Sequence, residues 1–84
     1  MAKTYMVLPQ ATVEIRLERY ACGIISADAY SLSGVQLRWA RYPRRGTGMG
    51  VFGIGKTSTY ALENLMNTLQ NALDQNCLTG LEID

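Results

Sequence analysis

The sequence contains no histidine, and its two cysteines, Cys22 and Cys77, do not form part of a C-x-x-C pair. A structural zinc site therefore lacks its usual ligands, and we expect no bound metal. Histidine is also the commonest general base and activator of nucleophiles. Since no Ser-His, Cys-His or paired-carboxylate arrangement is visible, we expect a protein that is not an enzyme and has no cofactor.

Long apolar segments are missing as well. No segment approaches the ~20 consecutive apolar residues that cross a membrane. Residues 1–9 have neither the apolar core nor the cleavage site of a signal peptide, so we expect a cytoplasmic protein. In that compartment Cys22 and Cys77 are expected to be buried or half-buried free thiols, with one disulfide between them as the alternative.

The composition is that of an ordinary folded domain. With 84 residues, of which 48% are hydrophobic and 18% are charged, the chain is expected to form one domain over residues 1–84. The formal net charge of +1 conceals an uneven distribution. Residues 35–56 contain basic side chains and no acidic ones, whereas residues 57–84 contain acidic side chains and no basic ones.

Alternating polar and apolar residues predict a sheet in the first two thirds of the chain. Residues 12–20 predict a strand with one buried face, and residues 21–33 predict a second strand. A Ser33-Gly34 turn leads into a third strand over residues 35–40, and residues 49–54 are a fourth, glycine-interrupted segment. The side chains assigned to the buried face are Val13, Ile15, Leu17, Val35, Leu37 and Trp39; those assigned to the exposed face are Glu14, Arg16, Glu18 and Arg38.

The period of the apolar residues changes after residue 57. Their spacing predicts an amphipathic helix from residue 58 to about residue 75. Thr57 or Ser58 is expected to cap its start, and Asn76 to end it in the left-handed region. The apolar stripe consists of Leu62, Leu65, Met66, Leu69 and Leu73.

The tail is expected to add a short edge strand through Leu81 and Ile83. Together these elements predict an α+β fold, a two-layer sandwich in which one C-terminal amphipathic helix covers a three- to four-stranded antiparallel sheet.

Residues 50–57 match the phosphate-loop pattern G-x-x-x-x-G-K-[ST] and in this respect resemble P-loop NTPases. The resemblance covers eight residues and the start of one helix. It implies nucleotide binding, with Lys56 on the terminal phosphates and Thr57 on magnesium.

Two departures from that family favour a different interpretation. A basic, glycine-rich segment, residues 44–49, precedes the motif in place of a run of β-branched residues, and only residues 58–84 follow it. We interpret the motif as a glycine-rich strand in which glycine permits close approach of strand and helix. Anion binding by Gly53, Gly55, Lys56 and Thr57 stays open as an alternative.

The strongest candidate for a binding surface combines arginines with aromatic residues. The residues expected to bind a partner are Arg38, Arg41, Tyr42, Arg44 and Arg45, whereas Trp39 is assigned to the core. Direct binding of single-stranded nucleic acid by this segment is an alternative. The uncharged helix positions Asn64, Asn67, Thr68, Gln70, Asn71 and Gln75 suggest a second contact surface, with simple solvent exposure as the alternative.

The succession of strands ending at Gly55, the Thr57-Ser58 helix start and the leucines that follow resembles small phage and bacterial sheet-plus-helix domains, including anti-CRISPR inhibitors. That resemblance implies a non-enzymatic interaction protein, a phage-type inhibitor that binds and occludes a larger nucleic-acid-handling complex. A homodimer through the helix or a sheet edge is a further alternative.

Overall fold

The computed structural model describes residues 3–39 and 50–80. In chain order, the elements are β1 (Thr4–Val7), β2 (Thr12–Arg19), β3 (Ile25–Tyr30), β4 (Arg38–Trp39), β5 (Phe52–Gly55), α1 (Ser58–Asp74) and β6 (Leu78–Thr79). Four strands form an antiparallel sheet in the order β1-β2-β3-β5, and β4 pairs with β6. Helix α1 packs on β5 and β3. The predicted α+β fold, an antiparallel sheet with one C-terminal helix packed on it, is confirmed within these residues.

Strand β1 is absent from the sequence prediction. It pairs with β2 so that Thr4 lies opposite Ile15, and a tight hairpin at Pro9-Gln10 joins the two strands. The Leu8 amide donates to the Ala11 carbonyl at 2.8 Å, and the Ala11 amide returns a bond to Leu8. Four residues are too few for a period of two to stand out in the sequence, so only the pairing with β2 reveals this strand.

Two turns around β3 have the same construction. The Tyr20 amide donates to the Ile24 carbonyl at 2.8 Å across a three-residue loop in which Gly23 has φ +89°. After β3, residues 31–35 repeat this pattern, with Gly34 at φ +93°. Such loops place their last residue in the left-handed region, where glycine has no side chain to strain. The predicted turn at Ser33-Gly34 is confirmed.

Both ends of α1 are capped by the residues that the sequence predicts. The Thr57 hydroxyl accepts from the Tyr60 amide at 3.2 Å, as expected of an N-cap. At the other end Asn76 has φ +54°, and the Cys77 amide donates to the Ala72 carbonyl at 2.9 Å. This pattern is a Schellman motif, and it satisfies carbonyls that the helix end would leave unpaired.

The core lies between α1 and the sheet. The predicted burial of Val13, Ile15 and Leu37 is confirmed. Leu17 and Val35 contradict the prediction, being 43% and 52% exposed. Leu17 lies in the second half of β2, where every residue is exposed. The residues of the main buried cluster are Leu8, Val13, Ile15, Ile25, Ala27, Ala29, Leu37, Val51, Ala61, Leu65 and Leu69.

The helix stripe is confirmed at Leu65 and Leu69, which are fully buried. Leu62 and Leu73 are half-buried and pack against the core, whereas Met66 is 44% exposed, so its assignment to the buried stripe is wrong. Two alanines, Ala61 and Ala72, are fully buried in its place. Small side chains therefore face the sheet where the helix comes closest to it.

Both cysteines are free, as predicted. Cys77 is buried, but Cys22 is exposed in the β2–β3 turn, and its predicted burial is wrong. Strand β6 ends at Thr79, and the predicted contributions of Leu81 and Ile83 lie outside the described residues. Over residues 3–39 and 50–80, no helix has both the length and the apolar character needed to span a membrane.

Candidate functional site

The phosphate-loop match does not adopt the conformation of a phosphate loop. Residues 52–55, which would curve around a phosphate in that motif, form β5 and pair antiparallel with β3. Gly53 lies opposite Ala27, and Gly55 lies opposite Ile25. Because this backbone is extended and part of a sheet, it forms no concave cradle of amides for phosphate oxygens.

Gly53 and Gly55 allow the strand and helix to approach each other closely. A Cβ atom added at Gly53 would lie 2.3 Å from the Leu65 nitrogen and 2.6 Å from the Ala61 oxygen. One added at Gly55 would lie 2.7 Å from the Ala61 nitrogen. The interpretation of these residues as glycines for close packing is confirmed, and Gly53 is buried beneath α1 rather than presented to a ligand.

Lys56 and Thr57 are the exposed two-residue connection between β5 and α1. The Thr57 hydroxyl is already engaged in capping Tyr60, and the Thr57 carbonyl accepts from the Ala61 amide at 3.0 Å. Of the four residues predicted to bind an anion, Lys56 and Thr57 are exposed, Gly55 is half-buried and Gly53 is buried. In the described part of the chain, no three potential metal-ligating side chains come together.

The arginine-aromatic segment is only partly described. Arg38 is exposed on β4 and donates to the Gln36 side-chain oxygen at 3.3 Å. Trp39 is half-buried and packs against the core, as predicted. The remaining predicted partner-binding residues, Arg41, Tyr42, Arg44 and Arg45, lie outside the described residues.

Several amides on the outer side of α1 make contacts within the chain. The Asn64 side chain donates to the Ile54 carbonyl at 2.7 Å, at the edge of the sheet. Gln70 donates to Asp74 at 3.0 Å and to Gln10 at 3.4 Å, which connects the helix end to the β1–β2 turn. These bonds give the uncharged positions an internal role that their composition does not reveal.

The larger exposed surface is the side of the sheet that faces away from α1, which we call the open face. Gly53 and its register partner Ala27 point towards the helix, so the residues before and after them in each strand point away. The register with neighbouring strands extends this assignment across the sheet. Described side chains on the open face are Lys3, Tyr5, Val7, Thr12, Glu14, Arg16, Glu18, Ser26, Asp28, Tyr30, Phe52 and Ile54.

Large apolar and aromatic side chains are exposed on this face. Tyr5 and Val7 of β1 are 53% and 79% exposed, and Phe52 and Ile54 of β5 are 45% and 46% exposed. They lie on the two outer strands, on either side of a charged centre on β2 and β3. Exposed apolar side chains that border polar groups are typical of protein-interaction surfaces.

Glu14 lies near the centre of the open face and is only 6% exposed, so its predicted exposure is wrong. Its carboxylate accepts from the Arg16 Nε at 3.1 Å and pairs with the Lys3 ammonium at 3.7 Å. The hydrogen bond from Arg16 lowers the pKa of Glu14, and the Lys3 charge lowers it further against the effect of burial. The Arg16 guanidinium also lies 3.8 Å from the centroid of the Tyr30 ring.

Asp28 and Glu18 form the other charged part of the open face. The register places Arg16 directly opposite Asp28 and Ser26 directly opposite Glu18, so the two carboxylates are diagonal neighbours. Burial raises the pKa of Asp28 and the Glu18 charge raises it further, whereas a hydrogen bond involving Ser26 lowers it. Neither carboxylate has an ion pair within the described part of the chain.

No protein-family model, curated protein or solved structure matches this chain. The described residues form a small α+β sandwich in which α1 covers one face of the sheet and leaves the other open. Sequence reasoning places Arg16 and Glu14 on the exposed side but does not find the open face as a surface. The sequence signal that could have indicated this surface is the presence of aromatic residues at Tyr5, Tyr30 and Phe52.

Proposed function

We propose that this chain is a non-enzymatic protein-binding module whose binding surface is the open face of the sheet. The observation that supports this most directly is the exposure of Phe52 and Ile54 on one outer strand and of Tyr5 and Val7 on the other, on a face with no covering layer among the described residues. When a partner covers the exposed parts of these side chains, each Å² of apolar surface removed from water contributes ~25 cal/mol to binding. The charged groups between them would give the interface its orientation.

Arg38, the one described residue among the proposed partner-binding arginines, extends this surface in the proposal. Gln36 forms a bridge with Tyr30, and its side chain lies over Gly50, where an added Cβ would be 2.4 Å from Nε2. Since Arg38 bonds to Gln36, it belongs to the same side of the sheet. Arg41, Tyr42, Arg44 and Arg45, which lie outside the described residues, remain proposed contact residues.

An inhibitor that occludes a larger nucleic-acid-handling complex is the specific form of this proposal. Its support is the resemblance to small phage-type sheet-plus-helix inhibitors, together with a surface suited to binding without chemistry. A cytoplasmic location belongs to the same proposal. A module of this kind needs no catalytic group, because covering a functional surface of the partner is sufficient.

Direct nucleic-acid binding is the alternative that one observation favours. Tyr5, Tyr30 and Phe52 offer aromatic rings on three strands of the open face, the arrangement that stacks unpaired bases in sheet-based RNA readers. Two features weigh against it. The Arg16 guanidinium covers the Tyr30 ring, and the carboxylates Glu14 and Glu18 would repel phosphates.

The test compares the wild-type chain with two doubly substituted variants. Phe52→Thr with Ile54→Thr removes apolar area from the open face, and Tyr60→Ala with Met66→Ala removes exposed apolar area from α1. Each immobilised protein captures partners from a lysate of the organism of origin, and quantitative mass spectrometry measures them. Some proteins should be captured by both the wild type and the helix variant. We expect the captured amount of these proteins to be lower by about tenfold or more with the open-face variant.

Equal capture by both variants would reject the open face as the binding surface. A variant with Arg38, Arg41, Arg44 and Arg45 all changed to Ala tests the arginine segment separately; undiminished capture would remove it from the interface. Fluorescence anisotropy with labelled single-stranded DNA and RNA tests the alternative, which predicts affinity that falls steeply with salt. Circular dichroism establishes that each variant remains folded.

A further inference from the structure

We propose that the open face binds a basic protein partner, and that an arginine or lysine of that partner lies over Glu18 and Asp28 with its flanking apolar residues against Phe52 and Ile54. This inference rests on the proposed function and specifies the chemistry of the partner. It concerns the part of the open face that is formed by the second half of β2, by Ser26 and Asp28 of β3, and by β5.

The sheet register assembles this half from adjacent strands. Asp28 lies directly opposite Phe52, and Ser26 lies directly opposite Ile54, so the apolar side chains of β5 border the carboxylates of β3 and β2. Glu18 completes the group from the other side, opposite Ser26. Neighbouring strands are ~4.8 Å apart, so one partner side chain can touch both the apolar border and the carboxylates.

The cations of the open face do not neutralise these carboxylates. Arg16 is the cross-strand partner of Asp28, yet its guanidinium is directed to Glu14 and to the Tyr30 ring. Lys3 pairs with Glu14 as well. Lys56, which follows β5, forms no ion pair with either carboxylate in the described part of the chain. Among residues 3–39 and 50–80, no cation compensates these two negative charges, and a partner cation would do so.

The apolar border favours a protein cation over a simple ion. Arginine and lysine both carry a methylene stem, which packs on apolar surface while the charged end meets a carboxylate. An arginine can in addition pair with a carboxylate in a bidentate manner and lie over an aromatic ring such as Phe52. A second copy that presents its own open face is less suitable, since the Lys3 and Arg16 of that face are already paired with its own Glu14.

A basic partner also agrees with the proposed occlusion of a nucleic-acid-handling complex. Surfaces that bind nucleic acid are rich in arginine and lysine. A protein that covers such a surface needs negative charge at the contact, and the open face provides it beside apolar side chains. At the part of the open face around Glu18 and Asp28, charge complementarity therefore favours a basic group of the partner.

Random linear peptides displayed on phage provide a defined probe of this surface. The folded full chain is immobilised, and peptides are selected on the wild type and on a Glu18→Gln, Asp28→Asn variant in parallel. We expect peptides selected on the wild type to be enriched in arginine or lysine next to apolar residues. A synthetic version of the best peptide should lose about tenfold or more in affinity for the charge variant.

The matched control is Glu63→Gln with Asp74→Asn, which removes two exposed carboxylates from α1 and gives the same change in net charge. Peptide affinity for this control should stay within about threefold of the wild type, because rim and distant charges act mainly through long-range attraction. Equal losses in both variants would overturn the inference, since they would indicate a general effect of net charge.

The remaining outcomes separate this inference from the proposed function. Peptides without basic residues that lose affinity only with Phe52→Thr and Ile54→Thr would overturn the basic-partner inference and leave the open face as a binding surface. Peptides insensitive to all of these changes would overturn both. A selection that enriches no peptide above the bare support would overturn the basic-partner inference.

Discussion

The two faces of one sheet are built from the same strands but differ in what their side chains do. On the covered face, Ala27, Ala29 and Gly53 are fully enclosed beneath a helix that carries Ala61 and Leu65. On the open face, the same strands present charged residues between exposed aromatic and apolar side chains. Alternation along a strand lets a single segment serve packing and recognition at once.

The comparison shows that neighbouring residues of one short strand can serve opposite faces. Residues 52–55 read Phe-Gly-Ile-Gly, in which each glycine meets the helix and each large residue faces away from it. A large side chain would usually be assigned to the core. Here α1 lies so close to the covered face of β5 that a side chain at Gly53 or Gly55 would collide with it. The apolar residues of β5 are thereby left available for a partner.

The largest expected effect on stability comes from adding a side chain on the covered face of β5. Gly53→Ala introduces a Cβ that would lie 2.3 Å from the Leu65 nitrogen, so strand and helix must separate. We expect a loss of about 3 kcal/mol or more in the free energy of unfolding, measured by urea denaturation. The neighbouring control, Ile54→Ala, faces away from the helix and should cost about 1 kcal/mol or less. Similar losses for both would show that the faces are not distinguished as described.

A smaller effect is expected where the covering helix begins. Thr57→Ala removes the hydroxyl that accepts from the Tyr60 amide, and it should lower the free energy of unfolding by about 1 kcal/mol. Ser58→Ala changes a neighbouring hydroxyl for which no capping bond is found and should stay within about 0.5 kcal/mol. Urea denaturation of both variants measures the difference. Equal losses of stability in the two variants would contradict the assignment of Thr57 as the N-cap of α1.

The smallest effects concern two carboxylates of the open face with opposite pKa shifts. The pKa of Glu14 is lowered from 4.5, so its stabilising contribution is present above that value and is lost as pH falls through the folded pKa. The pKa of Asp28 is raised from 3.8, so its contribution is present below that value and is lost as pH rises through the folded pKa.

Near neutral pH, Glu14→Gln should therefore lower the free energy of unfolding and Asp28→Asn should raise it, each by a modest amount. Both differences should shrink as the pH is lowered and the wild-type carboxyls become protonated. Urea denaturation at neutral and acidic pH measures this convergence. Destabilisation by Asp28→Asn at neutral pH would contradict the description of Asp28 as an uncompensated charge.

The sequence predicted the elements that depend on local chemistry. The helix limits follow from its apolar spacing and from Thr57 and Asn76, and the turn at Gly34 follows from a residue that tolerates positive φ. The interpretation of Gly53 and Gly55 as sites of close packing is also confirmed, and the helix that they approach is the one that follows directly in the chain. Local signals of this kind need only neighbours in the chain.

The candidate site was less accessible from the sequence. Alternation predicts an exposed Glu14 and a buried Leu17, and both are wrong because burial depends on which neighbouring side chains and which helix lie across each strand. The diagonal placement of Glu18 and Asp28 follows from the β2–β3 register, which a list of residues does not contain. The arginine segment that the sequence favours remains a proposal at all five positions, four of which lie outside the described residues.

By itself, the sequence determined that this chain has a glycine-rich strand leading into a capped amphipathic helix, with the alternating pattern of an antiparallel sheet before it. Propensities, caps and periods act over a few residues and can be read directly. Only the tertiary structure decided which face α1 covers, and therefore which charged and apolar residues meet on the open face. That choice depends on backbone approach at Gly53 and on strand register, both of which arise from contacts between residues distant in the chain.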